Sequence, residues 1–169
     1  MCAVEVLIAK VIMREEKFTW QLAIVDVLPV LFFSIAVALL GLKLQSPLFF
    51  TGAGICILAG AGKVLWKFLI ALVDKDVRFL GGQLRYLMPI GFTLIVIGSV
   101  TADHSIVLSL VKAAVRMPSL LFFIIAVIGL LGMIFCARRY DRHDVRGNWI
   151  EQGINAVSQA CVMVGVLLM

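Results

Sequence analysis

The sequence predicts an all-α integral membrane protein: a polytopic bundle of about five transmembrane helices with an interfacial amphipathic helix near residues 103–117. Three observations predict this fold class. Hydrophobic residues make up 63% of the 169 residues and charged residues only 15%, too apolar for the polar shell that a soluble domain needs. Mean hydropathy is +1.11. The apolar residues also fall into long runs, and a helix of roughly 20 such residues crosses a hydrocarbon core of about 30 Å.

Five runs are expected to span the membrane as a single bundle over residues 19–169. Pro47 and Pro118 lie just ahead of the second and fourth runs, where the missing N–H of proline costs nothing. Pro29 lies inside the first run and should kink that helix. The third run is the shortest. The spans are expected near 19–42, 48–72, 86–102, 119–137 and 149–169.

Two other segments are expected to lie at the membrane surface. Residues 1–18 contain an apolar run that carries Glu5 and Lys10, which is typical of an interfacial or helix-extending segment and not of a cleavable signal peptide. Residues 103–117 have polar side chains repeating at helical spacing among apolar ones, which predicts an amphipathic helix between spans three and four. The repeating polar residues are Ser105, Ser109, Lys112 and Arg116.

The distribution of basic residues predicts the orientation in the membrane. With the N-terminus in the cytoplasm, twelve of the 15 Lys and Arg residues fall on the cytoplasmic side, and only Lys43, Lys112 and Arg116 fall on the other. Cytoplasmic loops of membrane proteins carry such an excess of positive charge. We therefore expect a cytoplasmic N-terminus and an outside C-terminus, in a bacterial inner (plasma) membrane.

Ionisable and amide side chains inside the apolar runs indicate where function resides. An isolated charge inside a membrane helix costs roughly 2.5–3.5 kcal/mol on insertion scales, so these residues are expected to pair with one another. Counted from the cytoplasmic helix ends, they lie at similar depths. We predict that they form a neutralised cluster that binds a ligand or ion. The predicted site residues are Asp26, Lys63, Lys67, Glu151, Gln152, Asn155 and Gln159.

The last span has two distinct faces at 100° per residue. Glu151, Asn155, Ser158 and Gln159 form a polar stripe that Gln152 borders. The opposite side carries small residues, which suit close packing of helices in membranes. This helix is therefore expected within the bundle or at an oligomer interface. The small residues are Gly153, Ala156 and Ala160.

A structural role explains the same residues equally well. Carboxylate–lysine pairs and amide contacts can fix the register of helices without binding any solute. Lys67 and Glu151 could instead extend to the membrane interface, because both lie near helix ends. A basic loop near residues 138–146 also has two interpretations: contact with anionic lipid head groups, or a loop that only sets topology. Its arginines are Arg138, Arg139, Arg142 and Arg146.

Three classes of function remain open from the sequence. The first is a transporter or channel-like protein for a small charged solute or ion, which would require a homo-oligomer because five short spans rarely enclose a path. The second is a non-catalytic membrane subunit that docks a partner through the polar stripe of the last span. The third is an enzyme acting on lipid head groups, although no catalytic or metal-binding motif occurs. We expect no cofactor, no metal and no nucleic acid partner.

Overall fold

The computed structural model describes residues 20–73, 77–139 and 145–169. Helices account for 91% of these described residues, and no strand occurs among them, which confirms the all-α prediction. Each predicted span coincides with a helix to within a few residues. The helices are α1 (Trp20–Leu44), α2 (Pro47–Val73), α3 (Arg78–Gly82), α4 (Leu84–Val100), α5 (His104–Val115), α6 (Ser119–Arg139) and α7 (Val145–Leu167).

Four helices, α1, α2, α6 and α7, are long and apolar enough to cross a membrane. Helix α4 has 17 residues, or about 25 Å at 1.5 Å per residue. It passes the same test only together with α5, from which it is bent by 108°. The described residues thus contain four clear spans, or five with the bent α4–α5 unit, as expected for a helical membrane bundle.

Helices α1 and α2 form a hairpin with a two-residue connection. Gln45 adopts a left-handed conformation with φ of 49°, which reverses the chain after Leu44. The hydroxyl of Ser46 then accepts a hydrogen bond from the Phe49 N–H at 3.4 Å and caps the start of α2. Earlier in α1, the helix runs without a break through Pro29. Because proline lacks an N–H, one carbonyl of the preceding turn is left without its helical donor.

The long helices pack side by side in the order α4, α2, α1, α7, α6, with α1 at the centre. Helices α2 and α4 approach closely because Gly52 carries no side chain. A Cβ at this position would lie 2.6 Å from the Gly91 carbonyl oxygen and 2.7 Å from the Ile95 nitrogen. Helices α6 and α7 are joined by a buried hydrogen bond in which the Ser119 hydroxyl donates to the Gly165 carbonyl at 2.6 Å.

The apolar core lies at the hairpin end of α1 and α2, where Val37, Leu44, Phe49 and Ala53 are buried together. Helix α5 covers this end of the bundle through one of its sides. The amphipathic helix expected near 103–117 is therefore present, and part of its apolar surface packs on the protein. The residues of α5 in contact with the core are Ile106, Val107 and Leu110.

The outer surface of the long helices is strongly apolar. Leu58 is 70% exposed, and Leu131 and Val157 are each 61% exposed. Large aliphatic side chains exposed in this number on every long helix are typical of a surface solvated by lipid. This surface agrees with the membrane assignment.

Candidate functional site

A buried ion pair joins α1 to α2. The Lys67 Nζ lies 3.0 Å from the Asp26 carboxylate, and each side chain is only 3% exposed. Lys67 therefore does not extend to the membrane interface, which excludes that interpretation for this lysine in the described conformation. Its charge is directed into the protein, toward the central helix of the bundle.

The pair lies close to one end of the bundle. Asp26 is six residues from the start of α1, and Lys67 is six residues from the end of α2. Glu151 is likewise six residues from the start of α7. Six residues of helix correspond to about 9 Å. The three charged groups thus lie at one level, in the half of the bundle opposite the apolar core.

Two more predicted residues act on the pair through their charges. Lys63 repels the Lys67 ammonium group, and Glu151 attracts it. Both side chains are half-buried, so they are less shielded from the surroundings than the central pair. Together with Asp26, these residues make two anions and two cations, Lys67 included, whose charges act at the Lys67 position.

Gln152 is the most buried of the predicted amides, at 1% exposure. Its Oε1 atom has no hydrogen-bond partner among the described residues. Val166, which follows about four helical turns later on the same face of α7, is also buried, at 2% exposure. This face therefore points into the bundle. It carries a buried acceptor, the Gln152 Oε1 atom, to which no described protein atom donates a hydrogen bond.

Asn155 and Gln159 are half-buried on the same helix. Neither side chain forms a hydrogen bond with any residue that the structure describes. Of the small residues on the other side of α7, Ala156 and Ala160 are half-buried, whereas Gly153 does not pack on any described atom. Gly153 is exposed, and a Cβ at this position would meet no atom within 4 Å.

The glycines of α2 determine how the charged end of this helix is positioned. A Cβ at Gly60 would contact Val30 of α1 at 3.0 Å, so this glycine allows the two helices to approach one turn before Lys63. At Gly62, a Cβ would overlap the side-chain amide of Gln83. Sequence reasoning missed Gln83, because this residue lies between the second and third predicted spans, outside the apolar runs in which polar site residues were sought. The one available signal was the glycine immediately before Lys63.

The basic loop contributes nothing to the described geometry. The backbones of Arg138 and Arg139 end α6, and that of Arg146 lies in the first turn of α7, but their side chains are outside what the structure describes. Arg142 lies outside the described residues altogether, as do residues 1–18. Lipid contact by these four arginines stays a prediction.

The cluster offers carboxylate and amide oxygens as acceptors and ammonium groups as donors. Comparisons with protein-family models, with curated proteins and with solved structures found no match for this chain. Within the described ranges, no group of three or more His, Cys, Asp or Glu side chains could hold a metal ion. These groups can form hydrogen bonds and ionic contacts with one another or with another charged or polar group.

Proposed function

We propose that this multi-pass membrane protein is a transporter or channel-like protein for a small charged solute or ion. The observation that carries the proposal is the Asp26–Lys67 ion pair, buried between two membrane-spanning helices. Charged residues inside spans are rare, and they mark solute pathways, proton relays or ligand counter-ions in membrane proteins. Asp26 and Lys67 would be the central groups of the site.

The energetic cost of such a pair favours a function over simple helix packing. Taking two charges out of water costs several kcal/mol per ion, and replacing a buried pair by well-packed apolar residues is often neutral or stabilising. A bundle that needed only stability could join α1 and α2 as it joins α2 and α4, through glycines and apolar contacts. The pair supplies charge that can respond to a ligand.

The mechanism follows from competition for the Asp26 carboxylate. A proton or small cation that reaches Asp26 weakens its attraction to Lys67, whose ammonium group then needs another anion. Glu151 already attracts Lys67, so it offers such an anion from α7. An anionic solute would act conversely, by pairing with Lys67 and releasing Asp26. Either exchange alters how α1 is held at the centre of the bundle.

The amides of α7 would line the route to this site. Asn155 and Gln159 are half-buried and without side-chain hydrogen bonds to described residues. An unsatisfied amide in hydrocarbon is costly, so such groups meet water, a solute or another chain. In a homo-oligomer, this stripe could border a path shared between copies.

The proposal is tested by current measurements on proteoliposomes adsorbed to a solid-supported membrane. Rapid steps in the concentration of H⁺, Na⁺, K⁺, chloride and phosphate are applied to the wild type and to Asp26→Asn and Asp26→Asn/Lys67→Met. The control is Asp103→Asn, which makes the same chemical change at an exposed carboxylate near the other end of the bundle.

We expect the wild type and the control to give a current with at least one of these ions, and both Asp26 variants to give none. Folded wild-type protein that gives no current with any of them would contradict transport of a small ion. A wild-type current from the double variant would show that the pair is only a packing element.

The second candidate is a non-catalytic subunit that docks a partner helix. The amides of α7, half-buried and without hydrogen bonds to described residues, also favour this function. Gentle extraction and affinity purification of Asn155→Leu/Gln159→Leu tests it, with Val157→Leu on the opposite side of α7 as control. A docking subunit should lose a stoichiometric co-purifying protein only in the first variant. If the protein is a transporter, both variants should purify with the same composition, but Asn155→Leu/Gln159→Leu should lose its current.

A further inference from the structure

A groove lies at the end of the bundle opposite the Asp26–Lys67 pair. It has a volume of about 380 Å³, within the range that ligand pockets occupy. The last turns of α5 and its connection to α6 form one wall, and the residues at the end of α7 form the other. Its polar lining is Ser109, Lys112 and Arg116, and its apolar lining includes Met117, Leu168 and Met169.

The groove carries two cations. Lys112 and Arg116 are four residues apart along the chain and both are exposed. Neither forms an ion pair with a carboxylate of any described residue. Ser109 already donates its hydroxyl hydrogen to the Ile106 carbonyl at 2.7 Å. Recognition in this groove therefore rests on the positive charges, and its ligand should be an anion.

The groove lies next to an exposed apolar surface, as the binding site of a lipid would. Helix α5 has three sides: one packs on the core, one carries the polar residues, and one exposes large aliphatic side chains. On this third side, Leu108 is 45%, Val111 53% and Val115 60% exposed. Met117, which lines the groove, is 67% exposed. A ligand held by the cations would thus lie between a charged surface and an apolar one.

We propose that this groove binds the phosphate head group of an anionic phospholipid. The guanidinium group of Arg116 can donate two parallel hydrogen bonds to phosphate oxygens, and Lys112 adds a compact positive charge. Basic pockets between helices bind lipid head groups in this way. The acyl chains would run along the exposed aliphatic side of α5, so the lipid would hold α5 against the end of α7. This site is independent of the charged cluster and of transport.

The test is native mass spectrometry of the full chain in detergent, titrated with short-chain phosphatidylglycerol, short-chain phosphatidylcholine or inorganic phosphate. The variant Lys112→Gln/Arg116→Gln removes both cations of the groove. The matched control is Lys43→Gln/Arg85→Gln, which removes two exposed positive charges that do not line it. Thermal unfolding of each variant verifies that it is folded.

We expect one phosphatidylglycerol to bind per chain and its affinity to fall by about tenfold or more in the groove variant, which corresponds to about 1.4 kcal/mol. The control should bind like the wild type, and phosphatidylcholine should bind more weakly. Equal binding by the groove variant and the control would overturn the site. Inorganic phosphate that binds as tightly as the lipid would overturn the assignment to a phospholipid.

Discussion

At the scale of single residues, the molecule depends on how Asp26 and Lys67 compensate each other. Each side chain is 3% exposed, so neither charge is solvated once its partner is removed. A buried charge that loses its partner typically costs about 3–5 kcal/mol, whereas removal of both charges costs much less. Comparison of single and double variants therefore distinguishes the energy of the ion pair from the effect of changing side-chain volume.

We therefore predict strong coupling between the two positions. Asp26→Asn and Lys67→Met should each lower the free energy of unfolding by about 3–5 kcal/mol, and the double variant by clearly less than their sum. The free energies of unfolding of the three variants are measured in mixed micelles with an increasing fraction of denaturing detergent. Additive losses would mean that the carboxylate and the ammonium group do not stabilise each other.

The sequence predicted that buried charges would pair, and the Asp26–Lys67 ion pair is such a contact, but it did not predict which of the charged residues touch. The similar depth of Asp26, Lys63 and Lys67 followed from counting along the helices. The choice of Lys67 over Lys63 as partner depends on the rotation of α2 against α1, which Gly60 and Val30 set by contact. The sequence specifies this rotation only through packing between helices, so counting along one helix could not reveal it.

At the scale of helices, close approach at glycine holds α2 against α4. A Cβ at Gly52 would overlap backbone atoms of α4, at 2.6 Å from an oxygen and 2.7 Å from a nitrogen. Backbone atoms cannot move aside as the end of a flexible side chain can. At Gly54, two residues later on the same helix, a Cβ would meet nothing within 4 Å.

We predict opposite effects of the same substitution at these two positions. Gly52→Ala should destabilise the bundle by about 1–3 kcal/mol through overpacking. Gly54→Ala should be neutral or stabilise it by up to about 1 kcal/mol, since alanine is the better helix former. Thermal unfolding in detergent compares the two variants. Equal effects would place the contact between α2 and α4 elsewhere.

Helix α5 begins at a capping residue that titrates. The Asp103 carboxylate accepts two hydrogen bonds from Ser105, one from its hydroxyl group and one from its backbone N–H. These bonds, the hydroxyl bond most of all, lower the pKa of Asp103 below its usual value. A carboxyl group whose pKa is lower in the folded state stabilises the fold above its unfolded pKa, which is about 3.9. That stabilisation disappears as the pH falls through the lower, folded pKa.

We therefore expect the first turn of α5 to stay protected from hydrogen exchange at neutral pH and to lose protection below about pH 4. Asp103→Asn is the control, since asparagine also caps helices but does not titrate. The exchange rates in the first turn of α5 are compared between wild type and Asp103→Asn at each pH, so that the intrinsic pH dependence of amide hydrogen exchange cancels. A ratio that is the same at about pH 3 and about pH 6 would contradict the cap.

The helices themselves could be predicted from the sequence because hydrophobic run length determines them. Pro47 and Pro118 predicted the starts of α2 and α6 to within about one residue. The packing order α4, α2, α1, α7, α6 could not be predicted, because apolar helices offer many nearly equivalent faces. The small-residue side of α7 illustrates this: it suited close packing by composition, yet Gly153 faces outward.

At the scale of the whole molecule, the two ends of the bundle differ in chemistry. The apolar core and α5 occupy the end formed by the α1–α2 hairpin, and the charged cluster occupies the opposite half. The orientation of these ends in the membrane stays a prediction from the distribution of basic residues. If that prediction holds, the cluster lies toward the cytoplasm, and a solute would enter it from that side.

Exchange of a solute with the Asp26–Lys67 pair requires that water reach the polar side of α7 within the membrane. Accessibility to a charged thiol reagent measures this directly. In a background where the native cysteines are alanine, Asn155→Cys, Gln159→Cys and Val157→Cys are exposed in vesicles to a membrane-impermeant methanethiosulfonate. Only a thiolate reacts, and a thiol in lipid does not ionise. We predict that the first two positions react and that position 157 does not. Equal inertness at all three positions would contradict an aqueous path to the Asp26–Lys67 pair.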